Sequence, residues 1–257
     1  MPDAVIVSAI RTPIGRARKG SLAECRPDDL AVTAVRAALG QVPQLPPDSV
    51  DTVNRFCSSS LQAIRMAAHA VKAGEGDAFV CAGVEAVSRY SFGPGDGQAS
   101  HNQLFAEAEE RTRERAAGAD SWEPASGLPD IYIAMGQTAE NVRLRENLTR
   151  QELDEFAARS QNRAVRAQEN GIFEREIVPV TTPSGQTVSR DDGPRPGTTT
   201  EVLATLKPAF RPGGEVTAGN SCPLNDGAAA VIVMSRTRAD ELGIRPLARI
   251  VSATHSA

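Results

Sequence analysis

Hydrophobic positions alternate between two spacings along the first part of the chain. Ala4 to Ile10 (AVIVSAI) is a short apolar run rich in β-branched residues, bounded by polar and proline positions, and it predicts a buried strand. The stretch RPDDLAVTAVRAALGQV then shifts to helical spacing, with Asp28 placed to cap it and Gly40 to end it. PQLPPDSVD is a loop by its prolines. Thr52 to Phe56 (TVNRF) reads as a second strand, Ser58 to Ala73 as a helix closed by Gly74, and Ala78 to Ala82 as a third strand. Strand, helix, strand, helix, strand at these lengths implies a parallel α/β sheet with right-handed crossovers and helices on its faces.

The pattern changes after Arg89. From about Tyr90 to Pro129 the sequence is glycine-rich, charged and weakly periodic, and no regular element is expected there. Helical spacing returns at IYIAMGQTAENVRL and at TRQELDEFAARSQNRAVRAQENG, where Thr149 and Glu152 have capping-box spacing. IVPVTTPSGQTVSR reads as a hairpin turning at Ser184 and Gly185. Gly227 to Ser235 (GAAAVIVMS) is an apolar strand able to rejoin the sheet, followed by a helix over Thr237 to Leu242 and a further strand in ARIVSA. The expected organisation is an α/β domain over 1–89 and 208–244, an inserted loop domain over 90–207, and the start of another domain at 245–257.

Composition narrows the function classes. At 40% hydrophobic and 23% charged, the chain can bury an ordinary globular core. A net charge of -4 and only 4% aromatic residues argue against a nucleic-acid partner. No apolar run has the length of a membrane span, and the N-terminal stretch is too short and polar for a signal peptide, so a cytoplasmic protein is expected. Cys25, Cys57, Cys81 and Cys222 are widely spaced with no CxxC pair, which suggests neither a metal site nor a disulfide framework.

Of these thiols, Cys57 has a chemically favourable place. It falls where a strand runs into a helix, and unpaired N–H groups at a helix start favour the thiolate, the nucleophilic form. Three serines follow it, small enough to let a substrate carbonyl come close. Cys25, in a loop, and Cys81, inside a strand, read as structural.

The segment VNRFCSSSLQAI resembles the active-site segment of the thiolases, the acyl-CoA C-acyltransferases. The similarity extends in family order through VIVSAIRTPIGR, AGEGDAFVCAGVEAVSR, MGQTAENV, SQNRA, FEREIVPV and LKPAFRPGGEVTAGNSCPLNDGAAAVIVMS. The resemblance implies a thiolase-like parallel or mixed sheet covered by helices, with an inserted loop subdomain. It implies that Cys57 carries an acyl thioester during thiolysis of a 3-ketoacyl-CoA or the reverse Claisen condensation, in fatty-acid degradation. Coenzyme A is then a substrate, and no separate cofactor is expected. By local match, Met135, Arg195, Ala209, Phe210, Ser221 and Cys222 are the CoA-binding positions, with Asn225 and Asp226 holding the turn that bears Ser221 and Cys222. The family's assembly implies a homodimer or homotetramer.

Two departures from the family pattern set further expectations. Asp51 abuts Thr52 where the family has a strand and a helix, so one βα unit is expected to be missing. The family's C-terminal motifs, which carry an asparagine, an activating histidine and a second cysteine, have no counterpart in the 257 residues. His69, His101 and His255 lie outside any such motif, so this chain alone is expected to be inactive. The competing readings are a remnant without catalysis and a β-ketoacyl synthase-type condensing enzyme. The latter lacks the MGQTAEN and TAGNSCPLNDG pair.

Overall fold

A computed structural model describes residues 3–45, 57–89, 101–118, 121, 123–124 and 126–254. In chain order the elements begin with β1 (Ala4–Arg11), β2 (Gly15–Arg16), α1 (Pro27–Gly40), α2 (Ser59–Ala73) and β3 (Ala78–Ala86). There follow α3 (Ala106–Ala116), α4 (Met135–Arg145), α5 (Arg150–Glu169), β4 (Val180–Thr181), β5 (Thr187–Val188) and α6 (Thr200–Ala204). The run closes with β6 (Asn225–Ser235), α7 (Arg236–Glu241) and β7 (Ala248–Arg249). Two compact units result: 1–89, 171–193 and 224–257 form the first, and 90–170 with 194–223 the second.

The first unit is organised around β6. Its eleven residues pair with β1 on one side, from Ala4↔Ser235 to Arg11↔Ala229, and with β3 on the other, from Ala78↔Met234 to Ala86↔Asp226. β2 continues the β1 edge along β6, and β7 pairs with the outer side of β1. All these ladders are antiparallel. The parallel neighbours expected from sequence are therefore absent among the described strands. β1 and β3 do run in the same direction, but the returning β6 lies between them and opposes both. The strand expected at 52–56 lies outside the described residues.

Side-chain alternation along the strands loads both faces of this sheet. Ala228, Ala230, Ile232 and Met234 of β6 join Val5, Val7, Ala78 and Val80 beneath α1, which contributes Leu30, Ala34 and Ala38 at four-residue spacing. Val231 and Val233 join Ala4, Phe79 and Cys81 on the other face, beneath Ala67, Ala68 and Val71 of α2. A strand buried on both faces reads as an unbroken apolar run, which is why β6 was legible as GAAAVIVMS.

Helix ends follow local chemistry, with one correction. α1 starts at Pro27 with Arg26 as N-cap, so Asp28 does not cap it. Proline at the first helical position needs no N–H, and Asp28 sits inside the first turn, where it bonds Arg26 Nε at 3.0 Å. Gly74 closes α2 at φ 79°, a left-handed conformation that glycine adopts without a Cβ clash. The hairpin β4–β5 turns through Gly185 as expected, but 171–193 cluster with the sheet rather than with the rest of 90–207. Val180 and Val188 enter the core under α1. The Arg11 backbone exchanges hydrogen bonds with Glu176 (2.9 Å) and Val178 (2.8 Å), and its guanidinium grips Asp191 with two bonds of 2.8 and 3.0 Å.

Among the described residues, the second unit has one small apolar cluster, Ala157 and Ala158 of α5 against Leu203 of α6. Its helices are polar and held by side-chain networks. Thr149 and Glu152 form the full capping box at the start of α5. α3 lies within the stretch expected to be irregular. Its sequence AEAEERTRERA buries only Ala108, so no apolar stripe marks it, and alternating charges sustain the helix instead.

Candidate active site

Cys57 belongs to the first unit and is exposed. It stands immediately before Ser58, the N-cap of α2, whose φ and ψ of −94° and 6° turn the chain into the helix. The Ser58 side chain makes no capping bond, and no acidic residue occupies the first turn. The positive end of the fifteen-residue α2 favours negative charge near Cys57. Behind it, Gly83 of β3 lets the helix start sit close: a Cβ there would lie 1.8 Å from Ser60 Oγ.

The other thiols divide by burial. Cys25 and Cys81 are buried, and burial raises the pKa of both, that of Cys81 to about 11. Both are poor nucleophiles near neutral pH, in keeping with a structural role. Cys222 is exposed and its thiol donates to the Pro223 carbonyl at 3.3 Å.

The six positions matched to CoA binding all fall in the second unit. Met135, the first residue of α4, is 69% exposed, so it is no core methionine. Gly136 makes room for the Phe210 ring: a Cβ there would fall 2.1 Å from Phe210 Cδ1. Gln137 Nε2 holds the Phe210 carbonyl at 2.5 Å. Ala209 donates its N–H to the Val216 carbonyl at 2.9 Å, and Lys207 to Gly213 line an open groove of about 480 Å³. Arg195 is exposed, its backbone N–H bonded to Gln161 Oε1 at 2.9 Å, which leaves the guanidinium available at the surface. Ser221, partly buried, donates to the Thr217 carbonyl at 2.6 Å.

Of the two residues expected to hold the turn before Cys222, Asp226 is engaged elsewhere. Asp226 is buried in β6 of the first unit and accepts from Ser88 N (2.8 Å) and Ser88 Oγ (2.5 Å). Thr217 and Asn220 hold the turn instead, tied to Asp154 of α5. Glu140 of α4, fully buried, accepts from the N–H groups of Glu215 and Val216 at 3.0 and 2.9 Å and from Arg143 Nε at 3.2 Å. Sequence reading passed over both carboxylates. The available signal was a charged residue on the inward stripe of each helix.

His69 is exposed on α2. His101 stacks on Tyr132 at 3.8 Å with Nδ1 2.8 Å from Glu109 Oε2. His255 lies outside the described residues. Among the described residues no three of His, Cys, Asp and Glu gather as metal ligands, and no helix is long and apolar enough to cross a membrane.

Comparison with known proteins gives a consistent picture. Residues 48–237 match the family model for the thiolase N-terminal domain. The chain is 37% identical to a 3-ketoacyl-CoA thiolase of Bacillus subtilis, covering 98% of this chain and 71% of that protein. A beta-ketoadipyl-CoA thiolase of Acinetobacter baylyi is 36% identical, with 99% and 71% covered. The Bacillus subtilis alignment runs over 297 positions, whereas the whole chain has 257 residues, so the relative carries residues inside the matched span that this chain lacks. Among solved structures, the dimeric peroxisomal thiolase of Saccharomyces cerevisiae superposes with a TM-score of 0.80 at 29% identity, covering 96% of this chain and 68% of that one. The Bacillus anthracis acetyl-CoA acetyltransferase gives 0.77 at 33%, covering 97% and 69%.

Proposed function

Because the chain belongs to the thiolase family, we propose that it is built for acyl-CoA C-acyltransfer through a thioester on Cys57, in the degradation of fatty acids. The observation that carries this is the exposed Cys57 at the uncapped start of α2. Its sulfur attacks the keto carbon of a 3-ketoacyl-CoA, and the bond between the α and β carbons breaks. The α carbon takes a proton and leaves as acetyl-CoA, while the shortened acyl group stays on sulfur. The thiol of a second CoA then accepts that group and Cys57 is released. The backbone N–H of Cys57 and the helix field behind it can stabilise the oxyanion formed at each addition.

Met135, Phe210, Ser221 and Cys222 serve the acyl and pantetheine parts of CoA in this reading, with Ala209 beside them and Arg195 at the nucleotide end. Exposure of Met135 and Phe210, at 69% and 40%, supports it, since apolar side chains left at a surface are available to a ligand. Assembly as a homodimer is part of the same reading.

The test is acylation. The purified chain is incubated with acetoacetyl-CoA and mapped by mass spectrometry. A slowly formed acetyl group on Cys57, absent from Cys57→Ala and without turnover of acetoacetyl-CoA on adding CoA, is the expected result. A folded chain that stays unmodified would be a remnant without catalysis. Light scattering of the same preparation should give the mass of a dimer, and a monomer would remove the assembly part of the proposal.

A further inference from the structure

We propose that Asp154 is a positioning residue for the turn that carries Ser221 and Cys222, acting through the side-chain amide of Asn220. This rests on the reading of that turn as part of the CoA site. Asp154 lies on α5 with its side chain 1% exposed. Its Oδ2 accepts from Arg150 Nε at 2.8 Å and its Oδ1 from Asn220 Nδ2 at 2.9 Å.

The amide of Asn220 has two nearly isosteric ends, so its orientation is set by its partners. An ionised carboxylate can only accept, and so can the Glu215 carbonyl, which lies 3.0 Å from the same Nδ2. Both therefore draw the NH₂ end toward themselves. The Oδ1 end is left facing Thr217, whose backbone N–H it accepts at 2.7 Å. With Thr217 fixed, its hydroxyl accepts from the N–H groups of Gly219 (3.2 Å) and Asn220 (3.3 Å), and its carbonyl receives Ser221 Oγ. Asp154 thus determines, through three successive hydrogen bonds, where Ser221 stands.

The same ion pair fixes the surface beneath the turn. Arg150 Nη2 donates to the carbonyls of Leu203 and Leu206 at 2.7 and 2.8 Å. Gly219 presses on those two residues so closely that a Cβ would lie 2.6 Å from Leu203 Cδ2 and 2.5 Å from Leu206 Cδ1. One buried carboxylate holds both the turn and its seat.

An isosteric change exposes the logic. In Asp154→Asn the new NH₂ must face either Arg150 or Asn220, and each choice sets donor against donor unless Asn220 flips and confronts the Thr217 N–H. The double substitution Asp154→Asn with Asn220→Asp restores a donor–acceptor order along the chain, at the expense of the Glu215 carbonyl contact. Asn220→Ala removes the relay while leaving the Arg150 pair intact, and it serves if the Asp154 variant does not fold.

Amide exchange of the 217–222 peptide and titration with CoA and with 3′,5′-ADP, which is the nucleotide half alone, read the effect. Asp154→Asn and Asn220→Ala should lose protection at 217–221 and bind CoA roughly ten-fold more weakly. Affinity for 3′,5′-ADP should stay within about two-fold, since that half makes its contacts elsewhere. The double substitution should regain part of the CoA affinity. Equal losses for CoA and 3′,5′-ADP, or no rescue, would reduce Asp154 to a stabilising residue and overturn the proposal. A wild-type chain that binds no CoA removes the reading of the site, and unchanged exchange in the variants removes the positioning role whatever CoA does.

Discussion

At the scale of single residues, the four thiols should differ sharply in reactivity. Cys57 and Cys222 are exposed, while Cys25 and Cys81 are buried with their thiols held protonated. Sub-stoichiometric iodoacetamide near neutral pH should therefore label Cys57 first, Cys222 next, and the other two only after unfolding. Cys57 leads because, of the two exposed thiols, it alone stands just before a helix start, whose backbone N–H groups can meet the developing charge. Faster labelling of Cys222 in folded protein would discard that argument. This ranking was largely legible in the sequence, because a strand-to-helix junction is a local pattern. Asp154 and Glu140 were not legible as buried anchors. Each depends on N–H groups or an amide 66 to 76 residues away in the chain, and helical spacing alone does not reveal such partners.

At the scale of elements, the start of α2 depends on a single missing side chain in β3. A Cβ at Gly83 would lie 1.8 Å from Ser60 Oγ, closer than real contacts allow, and 3.0 Å from Ser60 Cβ, at their tight edge. Rotating the hydroxyl relieves only the first of these, so the helix start must shift. Gly83→Ala should cost about 1–3 kcal/mol, in the range of an overpacked core. Adding Ser60→Gly should return part of it in a double-mutant cycle of urea unfolding. Strictly additive losses would mean that the two residues do not meet. The periodicities located β1, α2, α5 and β6 to within a few residues, since each has a strong apolar or capping signal. They missed α3, whose helix is sustained by charge pairs. They left the order of the strands open: alternating strands and helices fix the direction of β1 and β3, but not that β6 returns between them after a long excursion.

At the scale of the whole molecule, the change of composition at Tyr90 marks where the chain leaves the sheet, but not its brief return. The hairpin rejoins the first unit through Val180, Val188 and the Arg11–Asp191 pair, contacts that no local pattern announces. The core that this unit builds also has a consequence for its alkaline limit. Cys81 lies in β3 beneath α2, and burial lifts its thiol from the ordinary 9.0 to about 11. Above pH 9 the unfolded chain releases this proton while the folded one keeps it, so the unfolded state gains. The contribution is fully present below pH 9 and lost as pH rises through about 11. One such thiol removes about 1.4 kcal/mol per pH unit over that window. Cys25, raised in the same direction by burial, adds to the slope. Urea midpoints measured between about pH 8 and about pH 11 should fall more steeply for the wild type than for Cys81→Ala. That substitution removes the titrating group while keeping a small apolar side chain under α2. Its stability relative to wild type should therefore improve steadily with pH. Parallel curves for the two proteins would show that Cys81 ionises as freely in the fold as outside it, and that the sheet beneath α2 admits water.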